Sequence, residues 1–141
     1  MELLAASLLR DLVSAVTQGD AEQVELLLVR GVPPDVIDQA AGWSALHAAV
    51  LHNPQLLKVL LAFARSPDAP EVMGGTPMSY VLHELGEAAS PARRDELLMA
   101  LASLLAAGAS PRAGGVDQTP LELARLYRLR DIESLLSEAG Q

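Results

Sequence analysis

One signature recurs four times along the chain. Apolar residues repeat at i, i+3 and i+4 in Val24/Leu27/Leu28, Leu57/Leu60/Leu61, Leu101/Leu104/Leu105 and Ile132/Leu135/Leu136. A small residue follows three positions after each last leucine: Gly31, Ala64, Gly108 and Ala139. The first two triplets lie 33 residues apart. A helical triplet at such a period predicts stacked units, each burying a face that it cannot bury alone. Arrays of this kind present a surface and not a catalytic pocket.

A second pattern precedes three of the triplets: Ser44-Ala45-Leu46-His47, Thr76-Pro77-Met78-Ser79 and Thr119-Pro120-Leu121-Glu122. Ser or Thr can cap a helix, and proline suits the first turn, where no amide hydrogen is missed. Each motif therefore opens a helix that precedes its triplet helix, with Leu46, Met78 and Leu121 turned to the core. Ala48, Ala49 and Ala124 keep the faces between units slim. In the first unit Leu8, Leu9, Leu12 and Val16 form the stripe, Gly19-Asp20 ends that helix, and Asp20 caps the next. Asn53-Pro54 makes the corresponding turn in the second unit, and Ser66-Pro67-Asp68 closes it. The third unit is longer. Thr76 to Leu104 spans 28 residues, where the second and fourth units take 16, and the surplus falls in residues 86–95. Ser90-Pro91 predicts the start of a long second helix there, with residues 86–95 bulging and residues 87–92 dispensable for folding. The fourth unit is expected to cap the stack.

The repeats resemble those of ankyrin-repeat proteins. The family's Thr-Pro-Leu-His start is matched by the three motifs above. Its Leu-Leu-x-x-Gly-Ala close is matched by Leu104-Leu105-Ala106-Ala107-Gly108-Ala109 and by Leu27-Leu28-Val29-Arg30-Gly31. The resemblance covers roughly residues 8 to 140. It departs at Arg10-Asp11-Leu12-Val13, which marks an atypical first unit, and in the third unit, which lacks the histidine. The resemblance implies an all-α solenoid of stacked helix pairs with short β-turn fingers. It forms one domain over residues 1–141, with units at about 8–41, 42–73, 74–116 and 117–141. It also implies a concave binding face of fingers and first helices, and a structural hydrogen-bonding role for His47.

Composition narrows the function. With 50% hydrophobic residues but only Trp43, Phe63, Tyr80 and Tyr127 as aromatics, the core is Ala/Leu-built and helical. A net charge of −8 disfavours nucleic acid and suits a basic partner. Cysteine is absent, so thiolate zinc sites and disulfides are excluded. Glu2, Arg10 and Asp11 interrupt the apolar start, which argues against a signal peptide or a membrane span and for a cytoplasmic protein.

Sites of chemistry are scarce. His47 and His52 do not share a helical face, so no metal site is expected, nor any cofactor. Ser44/His47 and Ser79/His83/Glu84 look like pieces of a nucleophile–base pair but lack a nucleophile elbow. Gly74-Gly75 and Gly114-Gly115 lack the lysine of a phosphate loop. Arg93-Arg94 reads as a solvated loop. The residues placed on one face by the repeat register are Trp43, Leu51, His52, His83, Glu84, Gln118 and Tyr127. Trp43, at a finger base, is either a binding anchor or a cover between the first two units. The expected function is that of a non-enzymatic, monomeric protein-binding module that masks, inhibits or scaffolds another protein. Two alternatives are an immunity-type inhibitor of a toxin and a self-associating structural protein.

Overall fold

The computed structural model describes residues 2–88, 90–114 and 119–139, and their side chains from Ala5 onward. The described residues form eight α-helices: α1 (Glu2–Gln18), α2 (Ala21–Val29), α3 (Ala45–His52), α4 (Leu57–Phe63), α5 (Pro77–Glu87), α6 (Pro91–Ala106), α7 (Pro120–Leu126) and α8 (Arg130–Ala139). A 3₁₀ turn, Pro54–Leu56, leads into α4. Among the described residues there is no strand, only an isolated antiparallel bridge between Asp38 and Trp43. The fold is all-helical.

Helices pair in chain order and the pairs lie side by side. One layer runs α1, α3, α5, α7, each helix against the next; behind it α2, α4 and α6 do the same, and α8 packs on α7. Leu12, Leu46, Met78 and Leu121 point from the first layer into a continuous core, where Ala48, Ala49 and Ala124 let the helices approach. The first and second members of the triplets are buried in α2, α4 and α6, as their spacing requires. Of these three helices, only α2 also buries the third member. Leu61 and Leu105 are half-buried, and in α8 the buried pair is Ile132 and Leu136 while Leu135 stays exposed. Among the described residues no helix packs on the far side of α8 to cover that leucine.

The ends of the helices follow from their sequences. Asp20, Thr76, Ser90 and Thr119 each accept the backbone N–H three residues on. At the other end, the turns after α1, α2, α6 and α7 close with the same pair of backbone bonds, for example Val32 N–H to Leu27 O (3.1 Å) and Gly31 N–H to Leu28 O (3.0 Å). That turn needs a left-handed residue. Gly19, Gly31 and Gly108 provide it in three cases, but Arg128 occupies it after α7 with φ of 58°. A side chain there is strained, so Arg128→Gly is expected to raise stability by about 1 kcal/mol. A higher urea midpoint with unchanged slope is the readout; an unchanged midpoint would show that the strain is relieved elsewhere.

The extra length of the third unit is helical. Among the described residues of the surplus, 86 and 87 complete the 11-residue α5 and 91–95 open the 16-residue α6, so most of it extends the two helices and is not a bulging loop. This corrects the expectation for residues 86–95, although Ser90-Pro91 does open the long helix. Arg93 and Arg94 lie on that helix and not in a solvated loop.

Adjacent pairs are stitched at three levels. Asn53 Nδ2 donates to Val16 O (2.8 Å) and Thr17 O (3.2 Å), closing the end of α1 from the next pair. Arg93 repeats this one pair later, its Nη2 reaching Val50 O and Leu51 O (both 3.3 Å) at the end of α3. The start of α6 thus carries a cation back to the previous pair. On the opposite side, Asp35 Oδ2 accepts Arg65 N–H (3.2 Å) and Ser66 N–H (3.1 Å). Asp68, 33 positions later in sequence, accepts Ser110 N–H at 3.0 and 3.1 Å. The third level lies in the turns before the first helices, where Val72 N–H donates to Gly42 O (3.2 Å).

Candidate partner-binding face

The turn leading into α3 holds the densest polar cluster. His47 is fully buried, with Nδ1 3.3 Å from Ser44 N and 2.9 Å from Ser44 Oγ, and Nε2 2.8 Å from Gly75 O. A backbone N–H can only donate and a carbonyl can only accept, so the partners dictate the tautomer: Nδ1 accepts and Nε2–H donates. Desolvation holds the imidazole below its ordinary pKa, against the opposing influence of the Gly75 carbonyl and Glu71. The ring is thus a neutral bolt between two successive turns.

Glu71 builds the second of those turns. Its Oε1 accepts Met73 N–H and Gly75 N–H (both 2.7 Å), and its Oε2 accepts the Tyr80 hydroxyl (2.9 Å). Burial, then the bond to Glu71, pushes the Tyr80 phenol well above its usual range. The Tyr80 ring meets His47 edge-on at 4.8 Å and Trp43 at 6.4 Å. Trp43 is therefore half-buried between consecutive turns, and its Nε1 is enclosed with no hydrogen-bond partner among the described residues. Sequence reasoning missed Glu71 and Tyr80. A carboxylate four residues before Gly75 and nine before a tyrosine has no helical register to betray it.

The other candidate residues gather at the far ends of the first helices. His83 Nδ1 and the Tyr127 hydroxyl share a hydrogen bond (3.0 Å), their rings edge-on at 5.9 Å. Glu84 Oε1 pairs with Arg93 Nη2 at 2.8 Å, and the same nitrogen holds the Leu51 carbonyl. His52 is exposed as the last residue of α3. Gln118 lies outside the described residues. Contacts thus join Leu51, Glu84, His83 and Tyr127 along α3, α5 and α7, while Trp43 belongs to the cluster at the opposite, N-terminal end of α3. Arg93 was missed as part of this face because its reach depends on the helical start of α6.

Gly86 shapes the same end of α5. A Cβ built on it would lie 2.5 Å from Tyr127 ring carbons. The glycine is needed for close approach, and it lets Tyr127 lie on the helix and reach His83. Gly86→Ala is expected to displace that ring and break its bond to His83. In a Tyr127→Ala background the same change should become neutral or favourable by about 0.5 kcal/mol, because alanine is the better helix former. A double-mutant cycle should then give a coupling of about 1 kcal/mol, and additive effects would place the ring elsewhere.

The nucleophile–base fragments are accounted for by packing. Ser44 and His47 are both 0% exposed, so no substrate reaches the pair as folded. Ser79 Oγ donates to Thr76 O (2.8 Å), not to His83. Among the described residues no three His, Asp or Glu side chains gather to hold a metal, and no helix is long and apolar enough to cross a membrane. No protein-family model matches the chain, and neither does any curated protein.

Proposed function

We propose that the chain is an ankyrin-type solenoid of four helix pairs that acts as a non-enzymatic binding module, occupying a basic protein partner through the face formed by α3, α5 and α7. The observation that carries this reading is the registry between pairs. Pro34 O accepts Leu46 N–H (3.2 Å) and Pro111 O accepts Leu121 N–H (3.0 Å), so equivalent residues enter both motifs through the same bond. The Asp35 and Asp68 links, one repeat period apart, support it independently. A repeated frame with its polar groups turned inward leaves surface recognition as its function. The half-exposed Leu51, Glu84 and Tyr127 and the exposed His83 supply the mixed aromatic and polar character of a contact patch. The net charge of −8 favours a basic partner and speeds its encounter. An inhibitor of a basic toxin falls within this reading.

The test is to retain the partner from the native cell, then measure its affinity for Tyr127→Ala and Trp43→Ala. Tyr127→Ala is expected to weaken binding by about 2 kcal/mol, with helical content preserved. Trp43→Ala should lower stability, because its ring packs against Tyr80; loss of affinity per folded molecule would extend the face to the turns. Full affinity in both variants would move the site off this face.

Self-association draws on a different observation. A groove of about 550 Å³ between α4 and α6 is lined by Leu61, Ala62, Ala102 and Ala106 beside the exposed Met99. Sedimentation at rising concentration, repeated with Met99→Glu, separates that reading from the first.

A further inference from the structure

Positive charge in this acidic chain collects at one corner. Of the ten Lys and Arg residues, Arg93, Arg94, Arg125, Arg128 and Arg130 belong to α6, α7, the turn after α7 and the start of α8. Arg93 and Arg125 are paired, with Glu84 and Glu133 respectively. Arg94, Arg128 and Arg130 form no ion pair among the described residues, and all three line one pocket of about 240 Å³. Leu129 and the buried Ile132 also line it, and Asp131 is its one acidic group. Three cations and one anion leave the pocket two positive charges in excess. Arg128 holds its place at a turn where three equivalent positions carry glycine, at φ of 58°. A residue kept there against backbone preference points to what its side chain does.

We propose that this pocket binds a phosphomonoester group. A dianionic phosphoryl group offers three acceptor oxygens and matches the excess charge, whereas a lone carboxylate satisfies only half of it. Guanidinium forks suit those oxygens. The pocket is smaller than those that enclose drug-sized ligands, so it takes the phosphoryl group and a short stem. Leu129 and Ile132 give that stem an apolar wall. The pocket shares no lining residue with those named on the α3–α5–α7 face, and the two readings fail independently.

The test titrates the full chain at low ionic strength with inorganic phosphate, with a neutral phosphoserine peptide and with the same peptide unphosphorylated. Amide chemical shifts and calorimetry are the readouts. Saturable binding of the phosphorylated peptide, with shifts centred on Arg94 and residues 128–132 and none from the unphosphorylated form, is expected. Arg94→Gln/Arg130→Gln should weaken it at least tenfold. Arg128→Gly should weaken it as well while raising the melting temperature, which separates loss of the ligand group from loss of fold. Arg30→Gln/Arg112→Gln, which removes as much charge elsewhere, should leave it unchanged. If phosphate alone binds as well as the peptide, the source is the free anion; if the peptide binds tighter, it is a protein segment. Absence of saturation by either at millimolar concentration overturns the proposal, as does equal affinity in Arg94→Gln/Arg130→Gln.

Discussion

Replacing His47 with alanine is expected to destabilise the protein by about 4 kcal/mol, from the cavity left by a fully buried ring and the stranded Ser44 amide and Gly75 carbonyl. Chemical unfolding should show a lower midpoint, and a loss below about 1 kcal/mol would mean that water replaces the ring. His47→Gln should lose less, since a carboxamide can keep one of the bonds. The same residue sets a pH dependence. Burial depresses the folded-state pKa below the ordinary 6.5, so the unfolded chain takes up this proton first. The stabilisation is therefore complete above pH 6.5 and declines as pH falls toward the depressed folded value. Protonation would also remove the Nδ1 acceptor that Ser44 uses. Midpoints measured from pH 7.5 to 5 should fall more steeply in the native sequence than in His47→Gln.

Asp68 is expected to show the opposite sign. Asp68→Ala should lower stability by about 2 kcal/mol, because the Ser110 amide loses its acceptor. Asp68→Asn should be almost neutral at pH 7, since the amide oxygen still accepts that bond and no charge is buried. Desolvation raises the folded-state carboxyl above 3.8, only partly offset by the bond from Ser110. The stability contributed by this proton is present below pH 3.8 and is lost as pH rises through the folded value. Asn in place of Asp should therefore compare worse with the native sequence in acid than at neutral pH. A pH-independent difference between the two would show that the carboxyl is solvated.

The helices were legible because their signals are local. Periodic apolar positions and the caps at Asp20, Thr76, Ser90 and Thr119 depend on neighbours within one or two turns, and the structure agrees with them. Leu135 shows the limit of periodicity, which reports a stripe but not whether a neighbouring helix covers it. The candidate face was less legible. Arg93 looked like part of a solvated connection because nothing near it in sequence announces Val50 O, Leu51 O or Glu84. Gly86 sits inside a helix, where only the Tyr127 ring from a later pair explains it. Asp35 and Asp68 repeat at the period of the triplets, but their hydrogen-bond partners emerge only once the pairs are aligned.

Because Asn53, Arg93, Asp35 and Asp68 each fasten one pair only to the pair beside it, the molecule comes apart like a zip and not like a ball. Among the described residues the α7–α8 pair has a neighbour on one side alone, and the turn before α8 contains the strained Arg128. Opening should start there and travel inward, so amide hydrogens of α8 exchange first and those of α3 and α5 last. Any ligand that grips the Arg128 corner would hold shut the end from which the whole row unfastens.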